Sequence, residues 1–414
     1  MHSNVSASLP DVSRYLGAAP GFLVAVDLPP GPAWLDVITD LWEAGAAVLP
    51  LDARLTARER RAIVDLARPA SVITADDETV FADPAPPEPD RVGLVVATSG
   101  TAGRPKLVEL SRPAVAAAVG LSFAALGSTS GGVALEPAEP WVCCLSPAHI
   151  GGMLVLMRHI VFGTPVTVLD RIGPDPEDPA RAVPEGAHVA LVPTMLHRLL
   201  RSGADLSGFG IVLIGGAAVD SALVRAAAER GIRVVSTYGL TETCGGIAYD
   251  GRLFDDTGAR IDATGGVQIH GPTLMEGYRH DPAATAVAFT LDGWLRTGDT
   301  GALESDGRLR IDGRSDEAIR TGAETVWPHE VEDALRQHPK VSEIAVAGRP
   351  HEEWGQQVVA FVVPVSGGDP PTLEELRQHG AERIARFKLP RAVVSMTELP
   401  RTASGKIRRG ALPQ

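Results

Sequence analysis

Phosphate-binding chemistry is most concentrated in Thr98-Ser99-Gly100-Thr101-Ala102-Gly103-Arg104-Pro105-Lys106, directly after the apolar run Val92 to Ala97. Gly100 and Gly103 open backbone angles closed to other residues, so successive N–H groups can wrap an anion. The hydroxyls of Thr98, Ser99 and Thr101 and the ammonium of Lys106 add further donors. The spacing of Gly, Lys and Ser/Thr does not fit a Walker A loop, which removes the P-loop ATPases from consideration. A Gly/Ser/Thr-rich stretch after a strand is often only a turn. The closing Arg-Pro-Lys favours an anion.

Four later segments carry groups of the same kind. They are Tyr238-Gly239-Leu240-Thr241-Glu242-Thr243, Gly293-Trp294-Leu295-Arg296-Thr297-Gly298-Asp299, Gly313-Arg314-Ser315-Asp316-Glu317 and Leu399-Pro400-Arg401-Thr402-Ala403-Ser404-Gly405-Lys406. In type and order, from Thr98 to Lys406, these segments resemble the acyl-adenylate-forming superfamily of acyl-CoA ligases, luciferases and peptide-synthetase adenylation domains.

The resemblance implies an enzyme that uses ATP and Mg²⁺ to activate a carboxylic acid and coenzyme A to accept the acyl group. It implies phosphate contacts from Thr98, Ser99, Gly100, Thr101, Gly103 and Lys106. Gly215, Gly216 and Ala217 match a segment lining the pocket between acyl group and adenine; otherwise they are a strand-to-helix turn. Tyr238, with Gly239, would lie against the purine, or else fill the core. Thr241 offers a hydroxyl to phosphate and Glu242 a hard oxygen to Mg²⁺, unless the glutamate merely opens a helix. Asp299 can accept both ribose hydroxyls, although aspartate in a turn often makes only a local cap. Arg314 would touch the nucleotide, and Asp316 would be the pivot between two catalytic orientations. Lys406 would offset the repulsion between acid and α-phosphate as they meet; without the family likeness it would pass for a solvated lysine. Lys106, Glu242, Asp299 and Lys406 occurring together argue against a catalytically silent nucleotide-binding descendant.

His149, in Ser146-Pro147-Ala148-His149-Ile150-Gly151-Gly152-Met153, stands where amino-acid-activating relatives carry an aspartate. With no carboxylate close in sequence, an α-amino acid substrate is disfavoured, and His149 is expected against the acyl group. The early phosphate loop, Cys244-Gly245-Gly246, Tyr249-Asp250-Gly251 and Val192-Pro193-Thr194 resemble o-succinylbenzoate–CoA ligases of menaquinone biosynthesis, especially the actinobacterial type. Other aryl or acyl acids remain open. So does an adenylation enzyme that loads a carrier protein. Leu107 and Ala323 depart from the pattern, both standing where relatives usually have glycine; Ala323 lies beside the expected path of coenzyme A.

These groups need a scaffold that brings distant segments together. Short Val/Ile/Leu-rich runs alternate with helical stretches from Gly21 to about Gly239, which predicts parallel α/β sheets with ligands beyond the strands' carboxyl ends. Thr56 is placed to cap one helix and Gly231 to close another. Glycine-punctuated alternation over about 246–313 predicts a small β-subdomain. The expected organisation is an α/β protein with an N-terminal domain at 1–314, including that subdomain. An α+β C-terminal lid at 315–414 carries Lys406. A chain of 414 residues favours more than one domain. A net charge of −13 argues against nucleic acid or an anionic membrane as partner. Three cysteines are too few for a disulfide framework. The first residues lack a signal-peptide pattern, and the apolar stretch Ile150 to Leu169 is broken by Arg158 and His159. A cytoplasmic enzyme is expected, and its oligomeric state is not legible.

Overall fold

A computed structural model describes residues 21–29, 31–75, 77–81, 85, 91–99, 105–129, 139–169, 184–202, 206, 208–217, 219, 221–322, 324–401 and 407–413. The chain forms two compact units. The first takes Met1–Ala259, Ile269–Leu295 and Ser305–Leu309; the second takes Arg260–Gln268, Arg296–Glu304 and Arg310–Gln414.

The first unit contains two seven-stranded sheets. One runs in the order Gly277–Tyr278, Pro105–Ser111, Val92–Ser99, Ala47–Pro50, Leu23–Asp27, Ser71–Thr74, Glu78–Val80. Its central strands are parallel and apolar along their length, as a sheet covered on both faces requires. Its edges are antiparallel, contrary to the all-parallel expectation. The reason is chain length: residues 100–104 are too few for a helical crossover, so Pro105–Ser111 must turn back along Val92–Ser99. The helix Ala33–Glu43 buries Trp34, Val37, Ile38 and Leu41, a spacing that puts one face on the core. Thr56 caps the helix Ala57–Ala67 through a capping box with Glu59.

The second sheet runs Arg252–Leu253, Gly245–Tyr249, Arg233–Leu240, Ile211–Ile214, His188–Leu191, Trp141–Cys143, Val166–Val168. It is parallel from Arg233–Leu240 onward and antiparallel at the Gly245–Tyr249 edge. Gly231, at φ +74°, follows the helix Ser221–Ala228 and donates its N–H to Ala228 O at 2.9 Å, which closes that segment as the sequence predicts. The apolar stretch interrupted by Arg158 is an interior helix, Ile150–Phe162. Arg158 is buried there, 4.0 Å from the Trp141 ring centroid and 2.6 Å from Ser122 Oγ, which also bonds Tyr249. No helix among the described residues is long and apolar enough to cross a membrane.

A four-stranded sheet, Gly258–Ile261, Gly266–His270, Leu295–Leu303, Leu309–Arg314, lies mostly within the second unit's residues. That unit is otherwise α+β. Its five-stranded sheet has Val341–His351 and Gly355–Pro364 as a long antiparallel pair, with Ala392–Ser395 parallel to the latter. Alternation decides the packing. Ile344, Val346, Val358, Ala360 and Val362 face the helices through Val331, Leu335 and Leu376. Ala345, Ala347, Val359 and Phe361 face Leu399 and Leu412. The helix Leu373–Ala381 is followed by a separate 3₁₀ turn, Arg386–Lys388.

All three cysteines are buried and unpaired. Burial pushes the thiols of Cys143 and Cys244 up to about 12, and that of Cys144 higher still. The native protein at neutral pH is therefore expected to take up no iodoacetamide, and the urea-unfolded protein to label at all three positions; mass spectrometry reads both states.

Candidate active site

The second sheet builds one wall of the site in the first unit. The strand Arg233–Leu240 carries Tyr238 and Gly239 within it. Tyr238 is half-buried opposite Ala248. Gly239 has no room for a side chain: a Cβ there would meet Gly245 O at 1.9 Å. This close approach folds the chain tightly back into Gly245–Tyr249. The Thr241–Thr243 3₁₀ turn bridges the two strands and presents Thr241 and Glu242. Thr243 knots the turn, accepting from Leu240 N–H at 2.8 Å and donating to Gly245 O at 2.8 Å. Gly215, just beyond Ile211–Ile214, abuts Thr237, as does Gly246 from the other side. Gly215, Gly216, Ala217, Tyr238, Gly239, Thr241 and Glu242 thus occupy the carboxyl-end region of one sheet.

The first sheet supplies Lys106 on Pro105–Ser111, paired with Thr98 across the ladder. Tyr278 connects it to the second sheet. Its strand pairs with Pro105–Ser111, its hydroxyl donates to Glu242 Oε1 at 2.8 Å, and Lys106 Nζ lies 4.4 Å from its ring centroid. Glu242 O accepts from Met275 N–H at 2.9 Å, which brings the same segment against the turn from the backbone side. The next residue, Arg279, is buried and bonds Glu109 Oε1 at 2.7 Å and Ala67 O at 2.9 Å, so Tyr278 stands on a fixed base.

His149 caps the helix Ile150–Phe162 with its backbone, not its side chain. Its neighbour Ile150 lies 3.7 Å from where a Gly245 Cβ would sit, which places the helix start beside the Glu242 turn. The imidazole Nε2 is 3.0 Å from Asp52 Oδ2. A carboxylate does stand next to His149, therefore, although none is close in sequence. Burial alone would raise the Asp52 pKa, but hydrogen bonds from His149 and Arg54 outweigh it and hold the carboxyl well below the usual range.

In the second unit Asp299 is buried within the strand Leu295–Leu303, not in a capping turn. Arg314 Nη1 reaches Asp299 Oδ1 at 3.3 Å and Thr297 O at 2.9 Å, and its Nε reaches Asp316 Oδ1 at 3.4 Å. Burial disfavours the guanidinium's charge, and the Asp299 and Asp316 carboxylates more than restore it, so its pKa is raised. Gly298 makes this cluster possible: its φ is +74°, and a Cβ would lie 2.9 Å from Arg314 Nη2.

Gly100, Thr101, Gly103, Ala323 and Lys406 lie outside the described residues, and of Ser99 only the backbone is described. The flanks of residues 402–406 are anchored. Arg401 bridges Ile407, Arg401 Nη2 reaches Glu343 at 2.9 Å, and Arg409 donates to buried Glu332 at 2.7 Å. Tyr278, Arg279, Asp52 and Arg54 were not singled out by sequence. Composition offered one signal for Tyr278: a chain with four tyrosines gives each a reason to be asked about.

Residues 75–279 match the family model of AMP-binding enzymes, and 330–406 match that of the AMP-binding enzyme C-terminal domain. A probable 2-succinylbenzoate–CoA ligase of Mycobacterium tuberculosis is 39% identical over 333 residues, covering 78% of this chain and 84% of that protein. An indoleacetate–CoA ligase of Aromatoleum aromaticum is 34% identical over 350 residues, covering 78% and 66%. Among solved structures, o-succinylbenzoate CoA synthetase from Bacillus subtilis, in complex with its acyl-adenylate intermediate, superposes with a TM-score of 0.84. It is 24% identical and covers 97% of this chain and 90% of that one, a likeness of fold.

Gly239→Ala is expected to cost about 3 kcal/mol or more, because a methyl group cannot enter a gap already closed by a carbonyl. Tyr278→Phe removes only the hydroxyl bond to a carboxylate and is expected to cost about 1–3 kcal/mol. Urea unfolding of the two variants beside the parent reads both values.

Proposed function

The chain belongs to the AMP-binding enzyme family, and from that premise we propose that it is an AMP-forming acid–CoA ligase whose acid is 2-succinylbenzoate. A carboxylate oxygen of the acid attacks the α-phosphorus of ATP, forming an acyl–AMP anhydride and expelling pyrophosphate. The thiolate of coenzyme A then attacks the acyl carbon, forming a thioester and releasing AMP. The observation that supports this function is the convergence of Lys106 and Glu242 on Tyr278, the ammonium over its ring and the carboxylate at its hydroxyl, a cation and an anion within reach of one polyphosphate.

Within this proposal Thr98, Ser99, Gly100, Thr101, Gly103, Lys106 and Thr241 hold phosphates. Gly215, Gly216, Ala217, Tyr238 and Gly239 border the adenine, Asp299 takes the ribose, and Arg314 touches the nucleotide. Lys406 meets the bridging oxygens as negative charge grows there, and positioning plus charge neutralisation is most of what phosphoryl chemistry asks of a protein. His149 lies on the acyl side. Residues 1–314 and 315–414 are the working domains, with Asp316 as the pivot between half-reactions. Glu242 would hold Mg²⁺ through the oxygen that Tyr278 does not engage, a hard donor suited to that ion. When bound, the ion offsets charge on the triphosphate. Within this proposal the enzyme works in the cytoplasm.

The name borne by the Mycobacterium tuberculosis relative supports 2-succinylbenzoate. The indoleacetate–CoA ligase likeness supports a second reading, an arylacetic acid bound by the same pocket.

Mass spectrometry of products from both acids, with ATP and Mg²⁺ and with or without coenzyme A, tests the assignment. Succinylbenzoyl adenylate and then its CoA thioester are expected. Adenylate that never becomes a CoA thioester, but acylates a carrier protein, would move the acceptor to that protein. In the same assay Lys406→Ala is expected to slow adenylate formation on the order of a hundredfold or more while leaving ATP affinity nearly unchanged. Thioester formation from preformed adenylate should be spared.

A further inference from the structure

Asp52 sits just beyond the strand Ala47–Pro50 and is 5% exposed, rare burial for an aspartate unless it is paired. Its Oδ1 accepts from Arg54 N–H at 3.0 Å and Arg54 Nε at 2.9 Å. Its Oδ2 accepts from Arg54 Nη2 at 2.7 Å and stands 3.0 Å from His149 Nε2. Guanidinium and imidazole therefore share one oxygen, across 97 residues of sequence. The fork from Arg54 supplies the charge that lets a buried carboxylate stay ionised.

This arrangement decides the chemistry of the histidine. An ionised carboxylate only accepts hydrogen bonds, so Nε2 must carry a proton, and Nδ1 is the atom left for another partner. The helix start takes nothing from the ring, since His149 makes no side-chain capping bond. Asp52 is thus the contact that fixes the ring's tautomer and rotation, at the edge of the wall that Ile150 and Gly245 form beside the Glu242 turn.

We propose that Asp52 is a positioning residue for His149, backed by Arg54 as counter-charge, and that this tether determines which acids the enzyme accepts. The inference rests on reading His149 as an acyl-side residue of the proposed ligase. A histidine held in one tautomer offers the acyl group a single fixed edge; a released ring would sample several rotamers and offer none consistently.

The test compares Asp52→Ala, Asp52→Asn, His149→Ala and the Asp52→Ala/His149→Ala double variant. Asp52→Ala is expected to raise KM for 2-succinylbenzoate roughly 10- to 100-fold, with KM for ATP changed less than about twofold. The double variant should be no worse than His149→Ala, because Asp52 acts through that ring. Asp52→Asn keeps the shape and one acceptor oxygen. It should melt near the parent and carry the same selective defect, smaller in size, should the alanine variant not fold. Long-range ¹H–¹⁵N spectra of histidine-labelled protein give a readout independent of activity. One imidazole with its Nε2 proton held in a hydrogen bond is expected, assigned by its loss in His149→Ala and altered in Asp52→Asn. Equal rises in both KM values, losses that add in the double variant, or a ring protonated at Nδ1 instead would overturn the proposal. Absence of turnover with every acid would strike the ligase assignment, and the spectra would still decide whether Asp52 sets the ring.

Discussion

Tyr278 is where the two seven-stranded sheets meet chemically. Its backbone belongs to the edge of the first sheet, and its hydroxyl ends on a carboxylate from the turn that closes the second. A lysine from the neighbouring strand lies against its ring. Neither contact is strong alone: a hydroxyl–carboxylate bond contributes about 1–3 kcal/mol and a cation over a ring about 1 kcal/mol. Together they set the distance between the Lys106 cation and the Glu242 anion. The buried Arg279, tied to Glu109 and to the Ala67 carbonyl, keeps that distance from drifting. The tight glycine packing at Gly239 does the same from the opposite side.

A protein of net charge −13 that binds a triphosphate has to do so with local donors against its overall field. The fold shows how. Carboxylates in each unit are engaged with cations or hydroxyls: in the first, Glu242 with Tyr278 and Asp52 with Arg54 and His149; in the second, Asp299 with Arg314. Each pairing orients an acid group and reduces its repulsion toward phosphate. Arg314 serves Asp299 and Asp316 at once, so the residue expected at the nucleotide and the residue expected at the pivot share a guanidinium.

Much of this was legible in the sequence because it is local. The alternation of apolar runs with helices, the Thr56 cap and the Gly231 stop depend on residues a few positions apart, and each took the form expected. The in-and-out packing of Val341–His351 and Gly355–Pro364 follows the period of two. What escaped depends on pairings across the fold. Asp52 and His149 lie in different sequence neighbourhoods, so the absence of a carboxylate near His149 in the chain said nothing about its surroundings in space. Tyr278 sits among ordinary turn residues and gains its meaning only from the turn it touches. The antiparallel edge at Pro105–Ser111 was missed because Leu107 was weighed only as a departure from the phosphate-loop pattern, when Leu107, Val108 and Leu110 are the buried residues of the strand that carries Lys106.

A crystal structure with Mg²⁺ and a non-hydrolysable ATP analogue tests the account most directly. The expected result is a metal ion at about 2.1 Å from a Glu242 carboxylate oxygen, the Tyr278 bond to the other oxygen retained, and Lys106 Nζ turned to a phosphate. A triphosphate bound with its metal away from Glu242, or a nucleotide seated in another part of the first unit, would contradict it.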